Sequence, residues 1–314
     1  MHLCTSGSMA FRRHCYIASA SSLILLLMLA LLMKLSPRSP VRASPRLPVR
    51  AITAYGKARS YTLAGPKKYY LALGDSLAFG MQPNGDTDHG YVQDFFMELH
   101  QDHGVASLID YGCGGETSMA MISQPGCSTG RVHNPYTGTQ LQAALAFIQA
   151  HYGQVSPVTL DIGADEMHIT WDRNVCEFNT LAWDSQLAML DKNLTQTILP
   201  ALLQALHGTG DLILIDYYDV HNYASPPPPS NHAPSPCPDA LIYSQQVNEH
   251  LAQDAAQFGI PFVDIWSAFN MNHICSLNTD QAYTWWCIWN PPNVHPTTLG
   301  YLIMADRIEE TVGY

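Results

Sequence analysis

Charge is scarce in this chain and unevenly placed. Only 13% of its 314 residues are Asp, Glu, Lys or Arg, and beyond residue 50 just eight Lys and Arg stand against 26 Asp and Glu, a balance near −18. A body that acidic repels phosphate backbones, and no basic run outside the N-terminus compensates, so no nucleic-acid partner is expected. A phosphate-binding glycine loop, a dinucleotide fingerprint and Cys or His pairs at metal-ligand spacing are also missing, so neither a cofactor nor a metal is expected. No internal repeat is visible. What the chain has in quantity is apolar residues, 47% of the total, enough to build a sizeable core and to exclude general disorder. One compact domain of catalytic size is the expectation, and it is expected to be monomeric.

The first 50 residues reverse the charge pattern, with seven Arg and Lys and no Asp or Glu. Arg12, Arg13 and His14 precede an 18-residue run, Tyr16 to Met33, whose only polar members are serines and a tyrosine. A buried core helix is one reading of such a run. Its position at the extreme terminus, after a double Arg and apolar on every face, reads better as an export signal or a single membrane anchor. The basic flank before it puts residues 35 onward outside the cytoplasm. Small residues at Val41-Arg42-Ala43 and Val49-Arg50-Ala51 would suit cleavage, but both lie well past the apolar run, so an uncleaved anchor stays open. The expected organisation is a signal peptide or anchor at 1–34, a Pro/Ser/Arg-rich linker at 35–66 and a single domain at 67–314. The chain is then secreted, or extracytoplasmic and membrane-anchored through its N-terminal segment.

Within the body, apolar runs at 69–76, 105–111, 156–163, 211–220 and 261–266 are mostly continuous rather than alternating, as strands buried on both faces are. Helical periodicity fills the intervals Tyr91–His103, Gln140–Tyr152, Ala182–His207 and Asp239–Phe258, with a final helix at Thr297–Val312. Successive strand-then-helix units predict a doubly wound parallel sheet between helices. The Pro-rich stretch 224–238 reads as a stiff surface loop.

Four segments fall where such a sheet builds its sites, at or just past the carboxyl ends of strands. Gly74-Asp75-Ser76-Leu77 follows the first strand; Ser76 is a candidate nucleophile, although Asp75 and Ser76 could equally cap the next helix. Asp110 to Ser118 follows the second strand and supplies three glycines, whose backbone can come close to a ligand and offer N–H groups to an oxyanion. A plain turn is the competing reading. Asp161-Ile-Gly-Ala-Asp-Glu166 ends the third strand, and His295, flanked by proline before the last helix, could serve as general base.

In order and spacing these four segments resemble the GDSL family of the SGNH hydrolase superfamily, over roughly residues 67 to 312. The Cys-Gly-Gly-Glu-Thr wording at 113–117, the Leu-Asp-Ile-Gly-Ala run at 160–164 and Trp-Trp-Cys at 285–287 are similar to its secreted bacterial esterase and lipase branch. The resemblance implies a three-layer α/β/α sandwich with a five-stranded parallel sheet and disulfide-stapled loops. It implies an ester hydrolase of carboxylesterase or lipase type, with Ser76 as nucleophile, His295 as base, and the N–H groups of Ser76 and Gly115 as oxyanion donors, Asp75 being a supporting residue.

Two positions depart from the family's pattern. Where the third block usually carries an Asn that donates to the oxyanion, this chain has Asp165, which could donate only when protonated. Where a triad acid usually stands three residues before the histidine, this chain has Pro292. The imidazole would then work in a Ser-His dyad, oriented by a main-chain carbonyl from the segment 286–291 or by the side-chain oxygen of Asn293. A weakened protein of the same fold that only binds, and a polysaccharide O-deacetylase, are the alternatives to the esterase reading. Six cysteines in the body allow fifteen disulfide connectivities. Cys113 with Cys127 and Cys275 with Cys287 form short local loops and leave Cys176 with Cys237, an arrangement similar to that of the secreted branch. The expected substrate is a small-molecule, lipid or glycan ester. Phe79, Met81, Trp285, Trp286 and Trp289 lie near the expected rim, either as pocket lining or as ordinary core anchors.

Overall fold

A computed structural model describes residues 62–172, 177–219, 238–269, 282–286, 288–289 and 293–314. All of them belong to the larger of two compact units, residues 56–314. The apolar run at 16–33, the Pro-rich stretch before residue 238, and Cys176, Cys237, Cys275 and Cys287 lie outside the described residues.

Five strands form one parallel sheet: β1 (Tyr69–Gly74), β2 (Ser107–Asp110), β3 (Val155–Asp161), β6 (Leu212–Ile215) and β7 (Phe262–Val263), in the spatial order β2-β1-β3-β6-β7. The expected α/β/α sandwich is the fold. The strand order reverses at β1, which has β2 on one side and β3 on the other, and open sheets place their clefts at that reversal. β3 is buried along its whole length, as a central parallel strand must be. Its polar members find partners: Thr159 Oγ1 lies 2.8 Å from the Tyr70 hydroxyl, and Ser156 pairs with Asp211. The β1/β3 ladder skips Pro157, which has no N–H to give.

The helices are α1 (Tyr91–His103), α2 (Ser118–Ser123), α3 (Gln140–Ala150), α4 (Ala164–Thr170), α5 (Thr180–Asn193), α6 (Leu199–Leu206), α7 (Pro238–Phe258), α8 (Ile265–Ala268) and α9 (Thr298–Val312). α1 packs against α9, while α3 packs against α6. The predicted helix at 182–207 starts two residues earlier and contains a π segment, Leu194–Ile198, between α5 and α6. That widening ends just before Pro200, whose ring would collide with a carbonyl of a regular preceding turn. A two-stranded hairpin, β4 (Trp171–Asp172) with β5 (Glu177–Phe178), follows α4. Ala64 and Gly65, at the end of the expected linker, donate their N–H groups to the Asp211 carboxylate at 2.8 and 2.9 Å.

Candidate active site

β1 delivers the turn that carries Ser76 to the carboxyl edge of the sheet. Gln140, the first residue of α3, holds both polar groups of Gly74: its side-chain oxygen accepts from the Gly74 N–H at 2.9 Å and its amide donates to the Gly74 carbonyl at 2.9 Å. Gly74 itself has φ +141°, and a Cβ there would sit 2.1 Å from Asp161 Oδ1, so only glycine fits. Asp75 is buried beneath the turn, accepting from the Leu77 N–H at 2.9 Å and from the Tyr217 hydroxyl at 2.7 Å. Between those anchored neighbours, Ser76 faces outward.

The segment after β2 is pressed onto this turn. The Cys113 N–H donates to the Gly74 carbonyl at 3.1 Å, and a Cβ at Gly112 would come within 2.4 Å of the Phe79 nitrogen. Gly114 lies close enough that a Cβ there would be 3.9 Å from Ser76 Cβ. A Cys113–Cys127 disulfide ties the segment down, and Gly115 follows with φ +82° in the turn closed by the Glu116 N–H on the Cys113 carbonyl. These glycines bring the backbone of the segment against the turn that carries Ser76.

The histidine arrives from the other side of the edge. Residues 283–285 pair with 295–297 through a Trp285 N–H to His295 carbonyl bond of 2.9 Å and a Thr297 N–H to Tyr283 carbonyl bond of 3.0 Å. Thr297 then caps α9, accepting from the Gly300 N–H at 3.1 Å. A Cβ on Gly300 would fall 2.0 Å from the Tyr283 carbonyl, so glycine lets the first turn of α9 lie against the strip that carries His295. The Tyr218 hydroxyl donates to the Val294 carbonyl at 2.8 Å and links this strip to the end of β6.

The two sides meet at His295 Nε2, 2.9 Å from Ser76 Oγ. Nδ1 of the same ring lies 2.7 Å from Asn293 Oδ1, which also accepts the His295 backbone N–H at 3.0 Å. An amide oxygen at Nδ1 requires the proton to reside there, which leaves Nε2 as the acceptor facing the serine hydroxyl. Of the two orienting groups considered from sequence, Asn293 is on Nδ1 among the described residues; residues 287, 290 and 291 of the other lie outside them.

Asp75, Ser76, Leu77, Ala164, Asp165, Met167, Tyr217, Tyr218, Val294 and His295 line an open cleft of about 420 Å³. Asp165 therefore stands with the serine and histidine, as its block position predicted. The aromatic rim candidates take the second of their two readings, as core or loop anchors rather than pocket lining. Phe79 and Trp286 are buried, Trp285 donates to Gln82, and Trp289 packs edge-on against Trp285. Among the described residues, none of the five rim candidates lines the cleft; Tyr217, Tyr218 and Met167 do. The tyrosines were legible in principle, since both follow β6 directly and so fall at the same carboxyl edge.

Carboxyl groups crowd the serine side. Burial pushes Asp75 up to about 7, with the charge of Asp165 adding to it and the Leu77 and Tyr217 bonds opposing. Burial also lifts Glu116 to about 8, helped by Asp75, Asp165 and Glu166. Asp161, wholly buried at the end of β3, is raised well above the ordinary range by burial and then by Asp75. No group of three or more His, Cys, Asp and Glu among the described residues is arranged to hold a metal ion.

Comparison with known proteins agrees with this geometry. A profile of the GDSL-like lipase/acylhydrolase family matches residues 72–303. No curated protein sequence matches the chain. Among solved structures, a Parabacteroides merdae protein described as a GDSL-like lipase superposes with a TM-score of 0.53 at 16% identity, covering 80% of this chain and 99% of that one. A lipase from a goat rumen metagenome gives 0.51 at 18% identity, covering 80% and 97%. A variant acetyl-xylooligosaccharide esterase from Geobacillus stearothermophilus gives 0.50 at 17% identity, covering 80% and 96%. At these identities the three structures speak to the fold alone.

Proposed function

Since the chain belongs to the GDSL-like lipase/acylhydrolase family and is an ester-hydrolysing enzyme, we propose that it works through an acyl-Ser76 intermediate with His295 as general base. The observation that carries this reading is the 2.9 Å contact between Ser76 Oγ and His295 Nε2 in an open cleft, with Nδ1 held by Asn293. In the forward step Ser76 Oγ bonds to the ester carbonyl carbon while its proton passes to Nε2. The tetrahedral oxyanion collapses, the carbon–alkoxide bond breaks, and Nε2 returns the proton to the departing alcohol. Water then repeats the sequence on the acyl group and frees Ser76 with a carboxylic acid.

The oxyanion would be held by the N–H groups of Ser76 and Gly115. The third position, Asp165, is an imperfect partner, because as a carboxylate it repels developing negative charge and only as an acid can it donate. Asn293 orients the imidazole without adding the charge that a carboxylate would give the imidazolium, so the catalytic unit is a Ser-His dyad steadied by an amide.

We read the chain as exported, in keeping with the apolar run at 16–33 and with the Cys113–Cys127 disulfide, a bond that persists in oxidising compartments. Among the described residues no helix is long and apolar enough to cross a membrane, and the run itself lies outside them.

The test is turnover of a p-nitrophenyl acyl chain-length series, with acetylated glycans beside it, by the full chain and by Ser76→Ala. Loss of turnover in the variant by at least about a thousandfold is expected. Undiminished turnover would sink the assignment of Ser76, and a preference for acetylated glycans over longer acyl chains would favour O-deacetylation of polysaccharide.

A further inference from the structure

Two carboxyl groups, those of Asp75 and Asp161, lie side by side beneath the turn that carries Ser76. Asp161 ends β3 opposite Gly74 in the β1/β3 ladder, and its carboxyl fills the space a Gly74 side chain would need. It accepts from the Tyr91 hydroxyl at 2.9 Å on Oδ1 and from the Ala78 N–H. Its Oδ2 is buried with no ordinary hydrogen-bond donor. The neighbour within hydrogen-bonding reach is the Asp75 carboxyl, itself 1% exposed and already accepting from Leu77 and Tyr217. Two buried carboxylates cannot both ionise at contact distance; one proton between them turns repulsion into a strong bond.

We propose that Asp161 is a positioning residue for the nucleophile, sharing one proton with Asp75 in a bond that ties the Gly74–Ala78 turn to β3 and so aims Ser76 Oγ at His295. The turn is then held from below at three points around the serine: the Asp75 side chain, the Leu77 N–H on Asp75 and the Ala78 N–H on Asp161. Around the pair stand Tyr91 from α1, Tyr70 from β1, Tyr217 and Tyr218 after β6, Tyr301 from α9, Asp165 from α4 and Glu116 after β2, all neutral or acidic, and His295, which lines the same cleft as Asp75 and can take a proton. That setting favours keeping the proton. The positioning role rests on the reading of Ser76 as nucleophile; the shared proton does not.

The sign of the pH effect follows from linkage. The folded pair holds its proton more tightly than free carboxyls near 4 do, so its contribution to stability is complete at acid pH and is lost as pH rises above the ordinary carboxyl range through the pair's own raised values. In Asp161→Asn an amide N–H replaces the shared proton permanently, and that loss disappears. The experiment compares the full chain with Asp161→Asn and Asp161→Ala by thermal melts from pH 5 to 9, and by the rate at which a fluorophosphonate probe labels Ser76. The melting temperature of Asp161→Asn is expected to gain on that of the parent steadily as pH rises; a difference independent of pH overturns the shared proton. Labelling is expected to fall at least tenfold in Asp161→Ala and to be largely rescued by Asp161→Asn at pH 8. Equal labelling of parent and Asp161→Ala overturns the positioning role. If the folded parent takes no label, the reading of Ser76 fails, and the melts still decide the shared proton.

Discussion

The serine side and the histidine side of the cleft are built on opposite principles. Ser76 sits on a turn sunk into the sheet, over two wholly buried carboxyls, with further acids at Glu116, Asp165 and Glu166 around it. His295 sits on a half-buried strip held by backbone pairing, a helix cap and one tyrosine, and the group on its Nδ1 is a neutral amide. The negative charge that a serine hydrolase commonly keeps behind its histidine is here concentrated around the nucleophile and the oxyanion region. Charge behind the imidazole stabilises the imidazolium as it forms, whereas charge near the oxyanion opposes the transition state. With Ser76 as the proposed nucleophile and His295 as the proposed base, this arrangement would give the enzyme order in the turn that carries Ser76 and less electrostatic help at both ends of the proton transfer.

The comparison breaks most readily at Asn293. Truncation in Asn293→Ala removes the acceptor that fixes the tautomer, and kcat/KM should fall by about 10- to 100-fold, the worth of a hydrogen bond to a partly buried group in a charged transition state. Asn293→Asp supplies the missing charge and should raise kcat above the parent at neutral pH; a further loss instead would mean that the amide is tuned to its surroundings. Steady-state kinetics on p-nitrophenyl acetate reads both. Next in size is Asp165→Asn, which removes a charge from the serine side and adds a donor. Since one oxyanion donor is worth about 2.7 to 4 kcal/mol in favourable geometry, a gain of about tenfold or more in kcat is expected, with little change in KM. No gain would place Asp165 outside the oxyanion's reach.

How much of this was legible in the sequence differs between the two sides. The apolar runs marked all five strands, because a strand covered on both faces carries a signal in every residue, and the helix at Tyr91–His103 was bounded correctly. The π segment was hidden, since widening before Pro200 leaves no periodic trace of its own. Block order pointed to Ser76, Asp165 and His295, and the structure brings the three to one cleft. Asn293 was one of two open choices, because an acceptor for a ring nitrogen can come from side chain or backbone and only three-dimensional placement decides. Tyr91 and Gln140 were not singled out, and Asp161 entered only as the first residue of the third segment with no role of its own: their importance comes from contacts over 66 or more residues of chain. The cleft walls obey the same rule: sequence left two readings open for the tryptophans near the histidine, which face Gln82 and each other or are buried, while tyrosines after β6 reach the site.

Two smaller effects sharpen the contrast through stability. The Cys113–Cys127 bond closes a loop of sequence separation 14 beside the nucleophile, and Cys113→Ser with Cys127→Ser should cost about 3 kcal/mol, read by urea denaturation. If the oxyanion loop depends on that brace, kcat should fall in the double variant even well below the denaturation midpoint.

The smallest effect concerns Glu116, buried with Oε1 unpartnered among the described residues and lifted to about 8 chiefly by burial and then by its acidic neighbours. A carboxyl whose folded value lies above its unfolded value near 4.3 adds stability that is complete below the unfolded value and is lost as pH rises through about 8. Glu116→Gln keeps the shape and can never acquire the charge. It should match the parent's melting temperature near pH 4 and exceed it by about 2–4 °C at pH 9, the shift that roughly 1 kcal/mol produces in a domain of this size. Histidine-side substitutions such as Asn293→Gln carry no buried acid and should leave the pH slope unchanged. A steeper slope from the histidine side than from Glu116 would mean that the burden of buried acid does not lie beneath the nucleophile, and the contrast between the two sides would fail at its electrostatic root.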